Sequence, residues 1–69
     1  MAEQRIWRLR KRHQTVDAEI HDHLTTVELR FLLNGTVSYS RMHPSRMAAL
    51  SEAAVRRAEL EREGWLFHW

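Results

Sequence analysis

Arg5, Arg8, Arg10, Lys11 and Arg12 place five cations within eight residues. Guanidinium groups at this density bind phosphates or carboxylates. In an extended chain Arg8, Arg10 and Arg12 project to one side about 6–7 Å apart, near the spacing of successive phosphates along one DNA strand, while Trp7 and Leu9 project to the other. The pattern predicts a sheet with one buried face and one cationic face. Only Glu3 opposes these cations, so the first thirteen residues carry a net +4 and the remainder −2, a polarity hidden by the overall +2.

The other residues with reactive side chains fall into weaker patterns. A His21-x-His23 pair on a strand can clip zinc, but it needs a third and a fourth ligand, and His13, His43 and His68 stand elsewhere in the chain. No metal or cofactor is expected. Ser38, Ser40, Ser45 and Ser51 stand in no nucleophile elbow, no glycine-rich phosphate loop exists, and Asp17-x-Glu19 is ordinary strand spacing. No catalytic residue is assigned and enzymatic activity is not expected. So short a chain also leaves little room for a pocket of roughly 300 Å³ or more, and no small-molecule substrate is inferred. Without cysteine the chain has neither disulfides nor thiolate ligands, which suits a reducing cytoplasm, the expected location. No run has signal-peptide or membrane-spanning length, so no membrane partner is expected.

The elements that must position these residues can be read from periodicity. Sixty-nine residues make one domain, residues 1–69, near the size at which a single core suffices and self-association becomes useful. Ile6 to His13 reads as a strand with Trp7, Leu9 and the stem of Lys11 inward. Val16, Ala18 and Ile20 continue the alternation, implying a longer strand or a bend near Gln14 and Thr15. His21 to Thr26 is a polar connection.

Val27–Leu33 and Thr36–Met42 flank Asn34-Gly35, the composition of a two-residue type I′ turn. Counting outward from that turn puts Val27, Leu29, Phe31, Ser38, Ser40 and Met42 on the core face. Glu28, Arg30, Leu32, Val37, Tyr39 and Arg41 fall on the other, with Glu28 opposite Arg41. A helix is expected from Ser45, an N-cap after Pro44, to Glu63, with Gly64 at C′. Its inward stripe is Met47, Leu50, Ala54 and Ala58, with Val55 on the flank and a Glu52–Arg56 pair outside. The tail Trp65-Leu66-Phe67-His68-Trp69 is too apolar to stay in water; it should dock as a last strand, across the helix and sheet edge, or on a second copy. The fold class is therefore α+β: an antiparallel three- or four-stranded sheet with one C-terminal helix on one face, in βββα order with room for a short terminal strand.

The run Tyr39-Ser40-Arg41-Met42-His43-Pro44-Ser45-Arg46, followed by an alanine-rich helix ending Arg57-Ala58-Glu59-Leu60-Glu61-Arg62-Glu63-Gly64-Trp65, resembles the strand-to-helix portion of small uncharacterised bacterial β-hairpin-plus-helix proteins. Over residues 27–63 it also resembles the arm-type DNA-binding domain of tyrosine integrases, in which three strands pack on a C-terminal helix and the sheet enters the major groove. That resemblance implies DNA contact from outward strand positions, here Arg8, Arg10, Arg30, Tyr39 and Arg41. Glu28 and Leu32 on the same face depart from the pattern. With no catalytic domain after the tail, the resemblance implies an accessory or regulatory factor.

Two functions follow, neither enzymatic. In the first, Arg8, Arg10, Arg12, Arg30, Tyr39 and Arg41 bind nucleic acid from the exposed sheet face, and substituting Arg8 and Arg10 together should weaken binding with the fold intact. In the second, Leu32, Val37, Tyr39, Trp65, Phe67 and Trp69 form the interface of a homodimer or a protein-interaction module. The arginine surface depends on which side of the sheet the helix covers, and a concentration-dependent dimer would support the second reading.

Overall fold

A computed structural model describes residues 3–67. Strands β1 (Glu3–Lys11), β2 (Gln14–Asp22), β3 (Val27–Leu33) and β4 (Thr36–His43) precede helix α1 (Arg46–Arg62) and a short β5 (Leu66–Phe67). All pair antiparallel in one sheet of order β4-β3-β2-β1-β5, with α1 on one face. This is the expected α+β architecture with four main strands and the tail as a fifth.

The alternation running through residues 6–20 is two strands, joined by a tight turn at Arg12 and His13. Arg12 takes a left-handed φ of 58°, a conformation that costs a non-glycine residue about 1–2 kcal/mol. Neither turn residue is glycine, asparagine, aspartate or proline, so the sequence carries no turn signal there. At the other hairpin, Asn34 and Gly35 have φ 53° and 85°. The Asn34 backbone N–H donates to the Thr15 carbonyl at 2.9 Å and the Thr15 N–H donates to Asn34 Oδ1 at 3.0 Å, tying the two hairpin ends together.

Trp7 and Leu9 are buried beneath α1 while Arg8 and Arg10 face away from it. The core adds Ala18 and Ile20 from β2, Leu29 and Phe31 from β3, Ala49, Ala53 and Leu60 from α1, and Trp65. One register row crosses four strands as Trp7, Ala18, Phe31 and Tyr39. Small Ala18 lets the Trp7 ring lie 5.9 Å from Phe31, which lies 5.6 Å from Tyr39. The aromatic core thus runs out to the sheet edge.

Two bulges alter the parity. Arg5 opposes Glu19 while Trp7 opposes Ala18, leaving Ile6 as an extra residue in β1. In β4, Leu32 opposes Val37 but Phe31 opposes Tyr39, so Ser38 is extra and its hydroxyl donates to the Phe31 carbonyl. Everything after Ser38 is consequently inverted from the simple count. Tyr39 and Arg41 belong to the helix side, Ser40 and Met42 to the open side, and Glu28 opposes Met42 rather than Arg41.

Helix α1 begins and ends as expected: the Ser45 hydroxyl accepts from the Ala48 N–H at 3.1 Å, and Gly64 has φ 100°. Its rotation differs. Ala49, Ala53 and Leu60 face the sheet, whereas Met47, Leu50 and Val55 are 77%, 39% and 61% exposed and Ala54 and Ala58 lie outside as well. Glu52 turns toward β4 instead of pairing with Arg56, which bonds Glu59. Alanines win the inward side because Glu52 gains three partners on β4, and because small residues let the helix approach the sheet.

Candidate interaction surfaces

The open sheet face is where the cationic surface was expected, and register places its residues in rows. Arg8 lies beside Asp17, Leu32 and Val37; Arg5 beside Glu19, Arg30 and Ser40; Glu3 beside His21, Glu28 and Met42. Opposite charges meet across neighbouring strands. Arg8 grips Asp17 with two parallel bonds, Nε to Oδ1 at 2.6 Å and Nη2 to Oδ2 at 2.8 Å, and Asp17 is only 5% exposed. That hydrogen bond, more than the accompanying Coulomb attraction, pushes the Arg8 guanidinium above its ordinary value.

Glu28 is the second hub. Arg30, His23 and the Ser40 hydroxyl all bond its carboxylate, and these bonds, Arg30's first, hold its pKa at about 2 against an ordinary 4.5. The native state therefore binds fewer protons than the unfolded state between those values. The stabilisation is complete above pH 4.5 and is lost as pH falls toward 2. A Glu28→Gln protein should show a flatter urea midpoint between pH 5 and about 2 than the parent; equal acid sensitivity would remove Glu28 from this role.

His21 Nε2 lies 2.9 Å from Glu19, and His23 bonds Glu28 instead, so the His-x-His pair is divided between two carboxylates. Ligand atoms of Glu3, Glu19 and His21 lie within 4.8 Å of one another. The face as a whole carries Arg5, Arg8, Arg10 and Arg30 alongside Glu3, Asp17, Glu19 and Glu28, so its formal charges balance in number. Tyr39 and Arg41 are absent from it because of the Ser38 bulge.

At the β1–β2 turn Arg10, Lys11 and Arg12 have no carboxylate partner among the described residues. Arg10 Nε donates to the Arg12 carbonyl at 3.1 Å, and Lys11 Nζ donates to the Glu63 carbonyl at 2.8 Å, at the negative end of α1. Arg10 and Arg12 line a recess with Leu66 and Phe67, and Arg57 stacks over the Phe67 ring at 5.0 Å from its centroid.

The predicted interface residues are dispersed too. Leu32 and Val37 are neighbours on the open face, and Tyr39 stands at the β4 edge on the helix side. Trp65 is 9% exposed and belongs to the core, because the Trp65 N–H bonds the Leu60 carbonyl and folds the chain back under α1. Phe67 is 53% exposed, and Trp69 lies outside the described residues.

Between α1 and the β4 edge lies a groove of about 510 Å³, larger than so short a chain was expected to form. Phe31, Val16 and Leu33 make its floor, Leu60 and Trp65 its inner wall, and Ser38 and Tyr39 its strand side. On the helix side Glu52 accepts from the Tyr39 hydroxyl at 3.1 Å, contacts His43 Nε2 at 2.6 Å and lies 3.9 Å from Arg41. The groove exists because the inward line Ala49, Ala53, Leu60 has arginine at positions 56 and 57, so no apolar helix side chain fills the gap before Leu60. That interruption was the available sequence signal for Glu52, Arg56 and Glu63 as groove residues, and only the correct helix rotation makes it visible. Among the described residues no helix is long and apolar enough to cross a membrane. No protein-family model, curated protein or solved structure significantly matches this chain.

Proposed function

We propose that this chain is a non-enzymatic protein-interaction module. The observation that carries the reading is where apolar surface is left. Met47, Leu50 and Val55 stand exposed along α1, Tyr39 at the β4 edge on the helix side, and Val37 and Met42 on the open face, where Arg8 and Arg30 are bonded to carboxylates. Apolar patches of this kind mark partner surfaces, and a charge-balanced face attracts a polyanion weakly. An unpaired edge strand adds backbone donors and acceptors that another chain can satisfy.

The reading is tested in two arms. Titrating duplex and single-stranded DNA and RNA at about 25 mM salt should give weak association whose log–log salt slope is near −2, the value for about two phosphates held by Arg10 and Arg12. A slope of about −4 or steeper with micromolar affinity would restore the arginine-platform reading. In the second arm, selection from a displayed library of random peptides of about ten residues should enrich binders with dissociation constants in the micromolar range. Failure to enrich any would sink the protein-interaction reading.

A further inference from the structure

Resting on that reading, we infer that β4 and the groove beneath it capture an extended polypeptide segment as a sixth strand, with one large apolar side chain of that segment seated in the groove beside the Tyr39–Glu52 hydrogen bond. β4 runs eight residues at the sheet edge, and beyond the Ser38 bulge, from Tyr39 to His43, alternate backbone N–H and C=O groups point away from β3 with no strand beyond among the described residues. Only another backbone in extended form complements such a row, which selects a polypeptide over any other ligand. An added strand also projects alternate side chains toward the helix side, as Tyr39 and Arg41 already project from β4. The groove opens there, between Ser38–Tyr39 and Glu52–Arg56, onto Phe31, Leu60 and Trp65.

Volume and charge narrow the occupant. About 510 Å³ holds an aromatic or leucine side chain with space to spare, within the usual range for ligand sites. Glu52 is engaged by β4 and Arg56 by Glu59, whereas the Glu63 carboxylate has no side-chain partner among the described residues. A cationic group on the segment is the complement at that end. The exposed α1 stripe offers no comparable backbone chemistry, so the edge and its groove are the assigned site.

The probe is a peptide enriched from the displayed library and made synthetically. N-methylation of alternate residues should divide its positions into two sets, one weakening binding at least tenfold and the other leaving it unchanged, because a strand presents hydrogen bonds to β4 from one edge only. Arg56→Trp, at an exposed position, should fill the groove and weaken binding at least tenfold, and Glu63→Lys should weaken a basic peptide severalfold. Met47→Asp should have no effect. Binding that tolerates N-methylation everywhere but is abolished by Met47→Asp would overturn the β4 assignment while leaving the interaction reading in place. Sedimentation showing β4 already paired with a second copy, with Met42→Lys restoring the monomer, would overturn the proposed occupant. No enriched peptide would remove the inference and the reading together.

Discussion

Trp65→Ala should lower the thermal midpoint by roughly 15 °C, a loss of about 3 kcal/mol, at the low end for truncating a large core aromatic because one edge of the indole borders the groove. For a chain of 69 residues total stability is of order 3–10 kcal/mol, so the substitution removes from about a third to all of it. Phe67→Ala should cost only about 1 kcal/mol, since that ring is 53% exposed, with Arg57 stacked over it. Circular dichroism melts of the two variants separate the roles of neighbouring tail aromatics. A Trp65→Ala midpoint within a few degrees of the parent would mean that Trp65 does not close the core.

Arg8→Ala should destabilise the protein by about 2–3 kcal/mol, measured by urea titration at neutral pH. It leaves Asp17 charged, 5% exposed and stripped of both bidentate hydrogen bonds. Loss of a partner from a fully buried pair costs more, but Arg8 keeps a third of its side chain in water, which screens the interaction. Arg8→Ala with Asp17→Ala should be more stable than Arg8→Ala alone, because the uncompensated carboxylate is then gone. Arg10→Ala should cost under about 0.5 kcal/mol, as its side-chain hydrogen bond among the described residues is an exposed one to the Arg12 carbonyl. Replacing Arg8 and Arg10 together should therefore lower stability as well, through the loss of the Arg8–Asp17 pair. A parent-like midpoint for Arg8→Ala would show that Asp17 is rehydrated.

Local chemistry made several elements legible. Asn34-Gly35 adopts positive φ at low cost, so both the hairpin and its residue range could be read. Ser45 and Gly64 mark the helix ends by satisfying or redirecting terminal backbone groups, again from side chains adjacent in sequence. Burial of Trp7 and Leu9 opposite Arg8 and Arg10 follows from strand periodicity, which needs no knowledge of the partner strand. Where a feature depended on residues close in the chain, the residue types were sufficient.

Features set by distant residues were not legible. Arg12 turns the chain left-handed because β1 and β2 gain a full ladder and the hairpin ends are tied through Thr15 and Asn34. Ser38 bulges out while Tyr39 stacks on Phe31 and reaches Glu52, and no alternation in β4 announces that inversion. Helix rotation depends on the same carboxylate: Glu52, seated by Tyr39, His43 and Arg41, turns Ala49 and Ala53 inward and Met47, Leu50 and Val55 outward.

The sequence by itself determined the α+β class, the Asn-Gly hairpin, the helix and its caps, and the two sides of β1, because each depends on backbone preferences or on polar groups a few residues away. Tertiary structure alone decided which cations are matched and which apolar side chains remain uncovered. Those outcomes depend on which carboxylate arrives beside which arginine across strands and from α1, and such pairing energies exist only once the sheet register and the helix rotation are set.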